Sequence, residues 1–314
     1  MDPYAFLIRT CKGRVLRNEP LSSHTSFGIG GPADCFLWAE DAEDVEAAMD
    51  AVSSEGLPFL AIGNGTNLLV DDGGVRGVVV RLGRGFGGLK REETRVRVGA
   101  GVDLAKLLDF CASHGLSGLE FAAGVPGTLG GALYTDAGTT SGRVRDRLLQ
   151  VTAVGQDKET STIDGPSFRH EDEDPLAEGS IITEASFQLT PATEETVRRE
   201  MDRLLTRRRE TQPIGEPSAG CIFRNPKGQP AGRLIDQCGC KGMRVGGAIV
   251  SEKHANFIIN TGGAQSKDVL ELIERIRARV HQATGVTLSL EINVIGPWGG
   301  QPPRDQVTKE RHEY

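Results

Sequence analysis

Glycine makes up 41 of the 314 residues, where an ordinary chain has about 7%. It is bunched at Gly63 to Gly65, Gly83 to Gly88, Gly124 to Gly131 and Gly242 to Gly247. Bunched glycine is poor material for the interior of a helix or strand, and good material for backbone with unusual torsion angles. Each cluster therefore marks a place where the chain turns sharply or comes close to a ligand.

Between the clusters the apolar periodicity is readable. Ala33 to Ala39 predicts a strand. Asp41 to Glu55 then sets Val45, Ala48, Met49 and Val52 at helical spacing before Gly56 stops it. Phe59 to Ile62 predicts a second strand, and Gly63-Asn64-Gly65-Thr66-Asn67 follows at once. A strand, helix, strand unit ending in a glycine loop offers backbone N–H groups to a pyrophosphate, although a plain tight turn accounts for the same five residues. No Gly-Lys-Ser/Thr follows, so this is not a Walker loop. Gly83 to Gly88 matches G-x-G-x-x-G in form, yet it runs into Lys90 to Val98, which alternates like a strand, and the dinucleotide fingerprint is rejected there.

Asp103 to His114 places Leu104, Leu107, Leu108 and Cys111 on one helical face, with Asp103 as N-cap and Gly115 as stop. Gly124-Val125-Pro126-Gly127-Thr128-Leu129-Gly130-Gly131 is too glycine-rich for a regular element and too hydrophobic for a surface linker, so it reads as buried loop against something flat. Thr193 to Arg209 predicts a helix closing on Arg207-Arg208-Arg209, cations that suit a helix C-terminus, and this marks a domain boundary. Ser266 to Thr284 predicts another, with Val269, Ile273, Ile276 and Val280 on one face and Gly285 ending it. Val286, Leu288, Leu290, Ile292 and Val294 then alternate with polar residues, the pattern of a half-buried strand with Glu291 on its polar face. Pro297 to Tyr314 is polar and aperiodic, and a loose tail is expected.

The length is beyond what one hydrophobic core usually organises, so two or three domains are expected. Lys plus Arg total 36 against 43 acidic residues, a formal charge of -7, which argues against a nucleic-acid surface or a polybasic membrane patch. Any anionic ligand must be held by local groups. No stretch approaches the roughly 18 apolar residues of a membrane span, and Met1 to Arg17 has no apolar core of a signal peptide. A cytoplasmic location is the expectation. The six cysteines are scattered; the close pair, Cys238 and Cys240, lacks the spacing of a zinc site, and neither a metal centre nor a disulfide framework is expected. His170-Glu171-Asp172-Glu173-Asp174 reads as a solvated acidic loop, because neighbouring residues point in different directions and rarely ligate together.

Three segments carry a resemblance: Ser218-Ala219-Gly220-Cys221-Ile222-Phe223-Arg224-Asn225-Pro226, Leu234-Ile235-Asp236-Gln237-Cys238-Gly239-Cys240-Lys241-Gly242, and Ser251-Glu252-Lys253-His254-Ala255-Asn256-Phe257. In this order and at this spacing the chain resembles the UDP-N-acetylenolpyruvoylglucosamine reductases from about Thr25 to Gly296, with cysteine at 221 where most members carry serine. No room for a long insertion exists between Arg169 and Met201, which is similar to the shorter, type II form. The resemblance implies an α+β fold: a p-cresol-methylhydroxylase-type FAD-binding domain of two lobes, 1–82 and 83–207, with a C-terminal α/β substrate-binding domain over 208–296 and a disordered tail over 297–314.

It also implies cofactors and a site. FAD reloaded by NADPH would supply the hydride, because side chains cannot. Gly63, Asn64, Gly65, Thr66 and Asn67 match the family's pyrophosphate loop, with threonine where serine is commoner. Gly124, Pro126, Gly127, Gly130 and Gly131 match a second loop that passes the flavin ring system, but Asp136 stands where an asparagine is usual. Arg169 matches the arginine that pairs with the substrate carboxylate, a role suited to a guanidinium's two parallel donors; Phe168 lacks the usual tyrosine hydroxyl and Glu171 stands near a common serine. Cys221 matches the proton donor, and a thiol with a reference pKa of about 8.5 gives a proton to carbon more readily than an alcohol. Glu291 matches a catalytic glutamate near the chain's end, acting as an electrostatic clamp or as a protonated donor. Asn225 and Lys241 match groups on the diphosphate of a UDP-sugar.

The reaction implied is reduction of an enolpyruvyl ether in peptidoglycan precursor synthesis. Two other readings stay open: another FAD-dependent sugar oxidoreductase on the same fold, and a non-catalytic nucleotide-sugar binding relative. The oligomeric state is not legible.

Overall fold

The computed structural model describes residues 2–155, 157–168, 176 and 179–296. Two compact units are woven from alternating stretches of chain: Met1–Arg17, Cys35–Asn64 and Val78–Arg208 make the first, and Asn18–Asp34, Gly65–Gly77 and Arg209–Tyr314 the second.

A four-stranded sheet takes its strands in the order Arg14–Pro20, Pro32–Ala39, Val75–Leu82 and Phe59–Ile62, the last two parallel. Cys35, Leu37 and Ala39 alternate toward the helix Ala42–Glu55, where Val45, Ala48 and Met49 complete a core in which each of these side chains is at most 2% exposed. Asp41 caps that helix by accepting from the Asp44 N–H at 3.1 Å. Gly56 ends it in the left-handed region at φ 62°, which a side chain would resist.

The first unit's other sheet has five strands, Thr160–Asp164, Leu148–Val154, Ile181–Gln188, Arg95–Gly99 and Leu89–Glu92, each antiparallel to its neighbour. The single strand expected over Lys90 to Val98 is thus a hairpin. Glu93, at φ 55°, makes the reversal that a run of Glu-Glu-Thr does not advertise. The Gly83 cluster leads through a short 3-10 turn, Arg84–Phe86, into the first of these strands and opens no helix.

Leu104, Leu107, Leu108 and Cys111 of the helix Leu104–Ser113 are at most 3% exposed in the core beneath this sheet. Gly115, at φ 63°, lies just past its end. The loop expected over Gly124 to Gly131 stops short. A helix runs from Leu129 to Tyr134, its first turn capped by Thr128, whose Oγ1 accepts from the Gly131 N–H at 3.4 Å. A hydroxyl at the N-cap offsets the glycines that argued against helix. The helix near Arg207 spans Glu194–Thr211.

The second unit packs the helices Ala231–Gln237 and Ser266–Thr284 with a three-stranded antiparallel sheet of Arg244–Val245, Ala248–Val250 and Ile258–Asn260. Val269, Ile273, Ile276 and Val280 lie at most 1% exposed in its core. Asp72 ties down the helix start by accepting from both the Ser266 N–H, at 2.9 Å, and its hydroxyl, at 2.8 Å. Gly285 closes it at φ 74°.

The half-buried strand expected over Val286 to Val294 forms only in part. The Arg224 N–H donates to the Ser289 carbonyl and the Glu291 N–H to the Ile222 carbonyl, after which the Asn293 N–H donates to the Asn67 carbonyl. The partner changes between Glu291 and Asn293, so no single ladder persists. What remains is a bridge of Leu290 with Phe223 and a strand, Asn293–Ile295, parallel to Leu68–Val70. Among the described residues, no helix is long and apolar enough to cross a membrane.

Candidate active site

Cys221 sits where one short stretch of the second unit is gripped from two sides. Cys221 itself bridges Phe257, and two residues later Phe223 bridges Leu290. Between them the Ile222 N–H donates to the Asn256 carbonyl and the Ile222 carbonyl accepts from Glu291, both at 2.8 Å. The backbones of Cys221 and Glu291 are therefore one peptide apart, although 70 sequence positions lie between them. The Arg224 guanidinium stands 3.3 Å from the Glu291 carboxylate, with both side chains roughly half exposed. Asn67 reaches the same place: its Nδ2 donates to the Glu291 carbonyl at 3.1 Å. Glycine at 220, with φ 78°, lets the chain turn into this stretch.

The other two segments flank it. The Ser251 hydroxyl accepts from the N–H groups of Lys253 and His254 at 3.1 and 3.3 Å, closing a turn that delivers Asn256. His254 packs edge-on against Phe257 with ring centroids 5.0 Å apart. Burial, and secondarily the nearby Lys241 charge, hold its imidazole below the usual histidine range. Lys241 forms an ion pair with Asp236 at 2.9 Å. The Asn225 Oδ1 accepts from the Ala231 N–H at 2.9 Å, so this side chain fastens the start of the helix Ala231–Gln237.

In the first unit the two glycine loops meet. A Cβ on Gly63 would stand 2.3 Å from the Thr128 Oγ1, so only glycine lets them approach this closely. Gly124 and Gly127 adopt φ 75° and 134°. The Gly127 carbonyl accepts from Leu104 at 2.9 Å, and the Gly130 N–H donates to Ala100 at 2.9 Å. Asp103, at the N-cap position, makes no capping bond. Its carboxylate instead accepts from the Asn64 Nδ2 at 2.6 Å. Asn64 Oδ1 takes a 2.5 Å bond from Arg81, whose guanidinium lies 4.6 Å from the Trp38 ring centre. Burial pulls the Arg81 guanidinium below its usual range, with the Asp103 charge opposing. Within the second unit, the loop's Gly65 has φ 59°, and a Cβ there would stand 2.1 Å from the His24 carbonyl oxygen.

Arg169, and the acidic run after it, lie outside the described residues; Phe168 is the last residue described before them. It is 1% exposed. The guanidinium of Arg145 lies 4.7 Å from its ring centre, and Asp136 pairs with both Arg143, at 2.7 Å, and Arg145, at 3.6 Å.

Family models match both parts of the chain: one for an FAD binding domain covers residues 33–163, and one for the C-terminal domain of UDP-N-acetylenolpyruvoylglucosamine reductase covers 212–295. The UDP-N-acetylenolpyruvoylglucosamine reductase of Desulforamulus reducens is 42% identical over 287 residues, spanning 91% of this chain and 95% of that one. The chain belongs to the UDP-N-acetylenolpyruvoylglucosamine reductase family. A second member, from Geobacter metallireducens, is 42% identical over 294 residues, covering 93% and 98% of the two chains. The crystal structure of the family's Thermus caldophilus enzyme superposes with a TM-score of 0.77 at 37% identity, covering 90% of this chain and 98% of that one.

A reductase of this family carries FAD, and the loops fit it. Within the first unit, where Gly63 meets Thr128, and at Gly124 and Gly127, a side chain would clash or strain the backbone. Gly63 leaves bare backbone next to Asn64, which holds the half-buried Arg81 guanidinium, a combination suited to an anionic dinucleotide. Arg81, Arg145, Arg224 and Asn256 were not singled out by sequence reasoning. For Asn256 a signal existed, a lone amide between Ala255 and Phe257 in one of the three family segments.

Proposed function

We propose that the chain reduces UDP-N-acetylglucosamine enolpyruvate to UDP-N-acetylmuramate in the cytoplasmic synthesis of peptidoglycan precursors, with Cys221 delivering the proton. The reaction adds a hydride to one alkene carbon and a proton to the other, and negative charge passes through the neighbouring carboxylate in between. FAD, when bound, supplies the hydride that it received from NADPH. Gly63, Asn64, Gly65, Thr66 and Asn67 hold its pyrophosphate, and Gly124, Pro126, Gly127, Gly130 and Gly131 give its ring system an unobstructed surface. Residues 1–82 and 83–207 serve the flavin and 208–296 the sugar nucleotide.

The chain's own residues then have three tasks. Arg169 pairs with the substrate carboxylate and stabilises the enolate. The Cys221 thiol gives its proton to the enolate carbon, and the thiolate left behind regains a proton from solvent. Glu291, held beside Arg224, acts as the carboxylate of an electrostatic clamp. Lys241 and Asn225 hold the UDP-sugar at its diphosphate end.

The observation that carries this reading is the double grip on Cys221, with Asn256 on one side and Glu291 on the other. A cysteine that served only as core filler would not need its backbone fixed between Asn256 and Glu291. Cys221→Ser is expected to keep substantial turnover and Cys221→Ala to lose most of it, while reduction of the flavin by NADPH survives in both. Full turnover by the alanine variant removes Cys221 from the mechanism. Purified protein that is colourless and releases no flavin on denaturation would favour the non-catalytic reading instead.

A further inference from the structure

Glu291 is held by both of its backbone groups, and the two holds come from different parts of the second unit. Its N–H donates to the Ile222 carbonyl at 2.8 Å, on the stretch that carries Cys221. Its carbonyl accepts from the Asn67 Nδ2 at 3.1 Å, on the loop that begins at Gly65. Two residues on, the Asn293 N–H donates to the Asn67 carbonyl at 2.9 Å, and the parallel pairing of Asn293–Ile295 with Leu68–Val70 starts there. A half-buried carbonyl at such a change of partner needs a donor. The Asn67 amide supplies it.

A second tie joins the same loop to the chain entering Cys221. The Ser26 N–H donates to the Gly65 carbonyl at 3.2 Å, and the Ser26 hydroxyl donates to the Ser218 carbonyl at 2.6 Å, three residues before Cys221. Gly65 is itself confined, with φ at 59° and the His24 carbonyl oxygen 2.1 Å from where a Cβ would stand. All of these groups belong to the second unit. The loop is therefore fastened to the stretch that carries Cys221 and to the stretch that carries Glu291. Asn67 falls by resemblance among the pyrophosphate residues, yet its amide is turned to Glu291, which leaves the loop's backbone for the phosphate.

We propose that Asn67 is a positioning residue that carries the placement of the flavin loop to Glu291: once Gly65, Thr66 and Asn67 are fixed around FAD, the Asn67 amide fixes where Glu291 stands relative to Cys221. The inference rests on the reading that Cys221 and Glu291 serve reduction of the enolpyruvyl ether.

The test uses the full chain with and without FAD. Hydrogen exchange in a peptide covering Glu291 and Asn293, read by mass spectrometry, should slow by about fivefold or more when FAD is added to the apoprotein, and Asn67→Ala should lose most of that slowing. Titration with FAD should give Asn67→Ala a Kd within about threefold of the unaltered value, because the amide is not a phosphate ligand. In stopped flow, the same variant should slow reoxidation of the reduced flavin by the enolpyruvyl sugar by roughly tenfold to a hundredfold, the scale of a small misplacement at the reacting centre. Flavin reduction by NADPH should stay close to that of the unaltered chain. Should Asn67→Ala fail to fold, Asn67→Leu, which keeps the shape and removes the donor, gives the same readouts. A loss of FAD affinity of about tenfold or more would return the amide to the pyrophosphate. That result, slowing that persists in the variant or is absent from the unaltered chain, or an unchanged reoxidation rate would overturn the assignment. If the unaltered chain does not reoxidise with the enolpyruvyl sugar, the proposed function fails, while the exchange experiment, which needs no turnover, still decides the coupling.

Discussion

Asn256 brackets Phe223 with both ends of one amide: its Oδ1 accepts from the Phe223 N–H at 2.9 Å, and its Nδ2 donates to the Phe223 carbonyl at 2.8 Å. This is the pairing a neighbouring strand would supply, made by a side chain that is 2% exposed. It fixes the peptide two residues past Cys221 without a continuous sheet.

Replacing Asn256 with alanine leaves a buried donor and a buried acceptor without partners, at about 1–3 kcal/mol each. Asn256→Asp should be worse at neutral pH, because a carboxylate oxygen would face the Phe223 carbonyl. Denaturant unfolding measures both, and a loss below about 0.5 kcal/mol for either, the scale of a surface change, contradicts the bracket.

Gly63→Ala is expected to destabilise the chain and lower its flavin content, because the new methyl group would stand 2.3 Å from the Thr128 Oγ1. Overpacking of this kind costs about 1–3 kcal/mol. Adding Thr128→Ala removes the obstructing oxygen and leaves ordinary contact distances, so the double variant should recover part of the bound FAD. The ratio of absorbance at flavin and protein wavelengths after purification reports both. If the second substitution deepens the loss, the two loops do not meet as described.

Arg81→Met should weaken FAD binding by about tenfold, the effect of removing one partly buried charge from a phosphate site. Titration of apoprotein with FAD, followed by flavin fluorescence, measures it without turnover. Asn64→Ala should weaken binding less, since Asn64 orients Arg81 and leaves its charge in place. Affinity unchanged in Arg81→Met would reduce Arg81 to a packing role over Trp38.

Thiol reactivity should divide the cysteines. Burial pushes the Cys11 and Cys111 thiols up to about 12, with Asp44 adding to the shift at Cys11 and Glu120 at Cys111. At pH 8 such a thiol is ionised in about one molecule in ten thousand, and the thiolate is the reactive form. Iodoacetamide at pH 8 should therefore label the partly exposed Cys221 and Cys238 well before Cys11 and Cys111, as peptide mass spectrometry would show; labelling of Cys111 at the same rate counters this. The same shifts have a sign for stability. An unfolded thiol ionises near its reference pKa of about 8.5, so above that pH the unfolded chain binds fewer protons than the folded one. Stability from these two groups is complete below about pH 8.5 and falls from there toward pH 12, by up to about 1.4 kcal/mol per pH unit for each.

What was legible in the sequence was local. Ser266 to Thr284 shows an uninterrupted apolar face and a closing glycine, and it folds over those residues. Phe59 to Ile62 likewise follows from its neighbours. The reversal at Glu93 was hidden, since no Gly or Asn marks it. The Val286 to Val294 pattern misled because alternation records which residues are buried, not whether one partner runs alongside throughout. Of the candidate site residues, the three family segments pointed to Cys221, Asn225 and Lys241, and the alternating stretch near the chain's end to Glu291. Arg81 and Asn256 act through contacts such as that of Asn256 with Phe223, 33 positions away, which no local pattern encodes.

Asn18–Asp34 and Gly65–Gly77 belong to a unit completed only by Arg209–Tyr314. During vectorial synthesis these early pieces emerge long before their companions have been translated. The second unit therefore cannot be complete until the chain beyond Arg208 has been made, and a gene severed at codon 208 would divide that unit between two fragments. Co-expressed fragments would have to find each other through complementation.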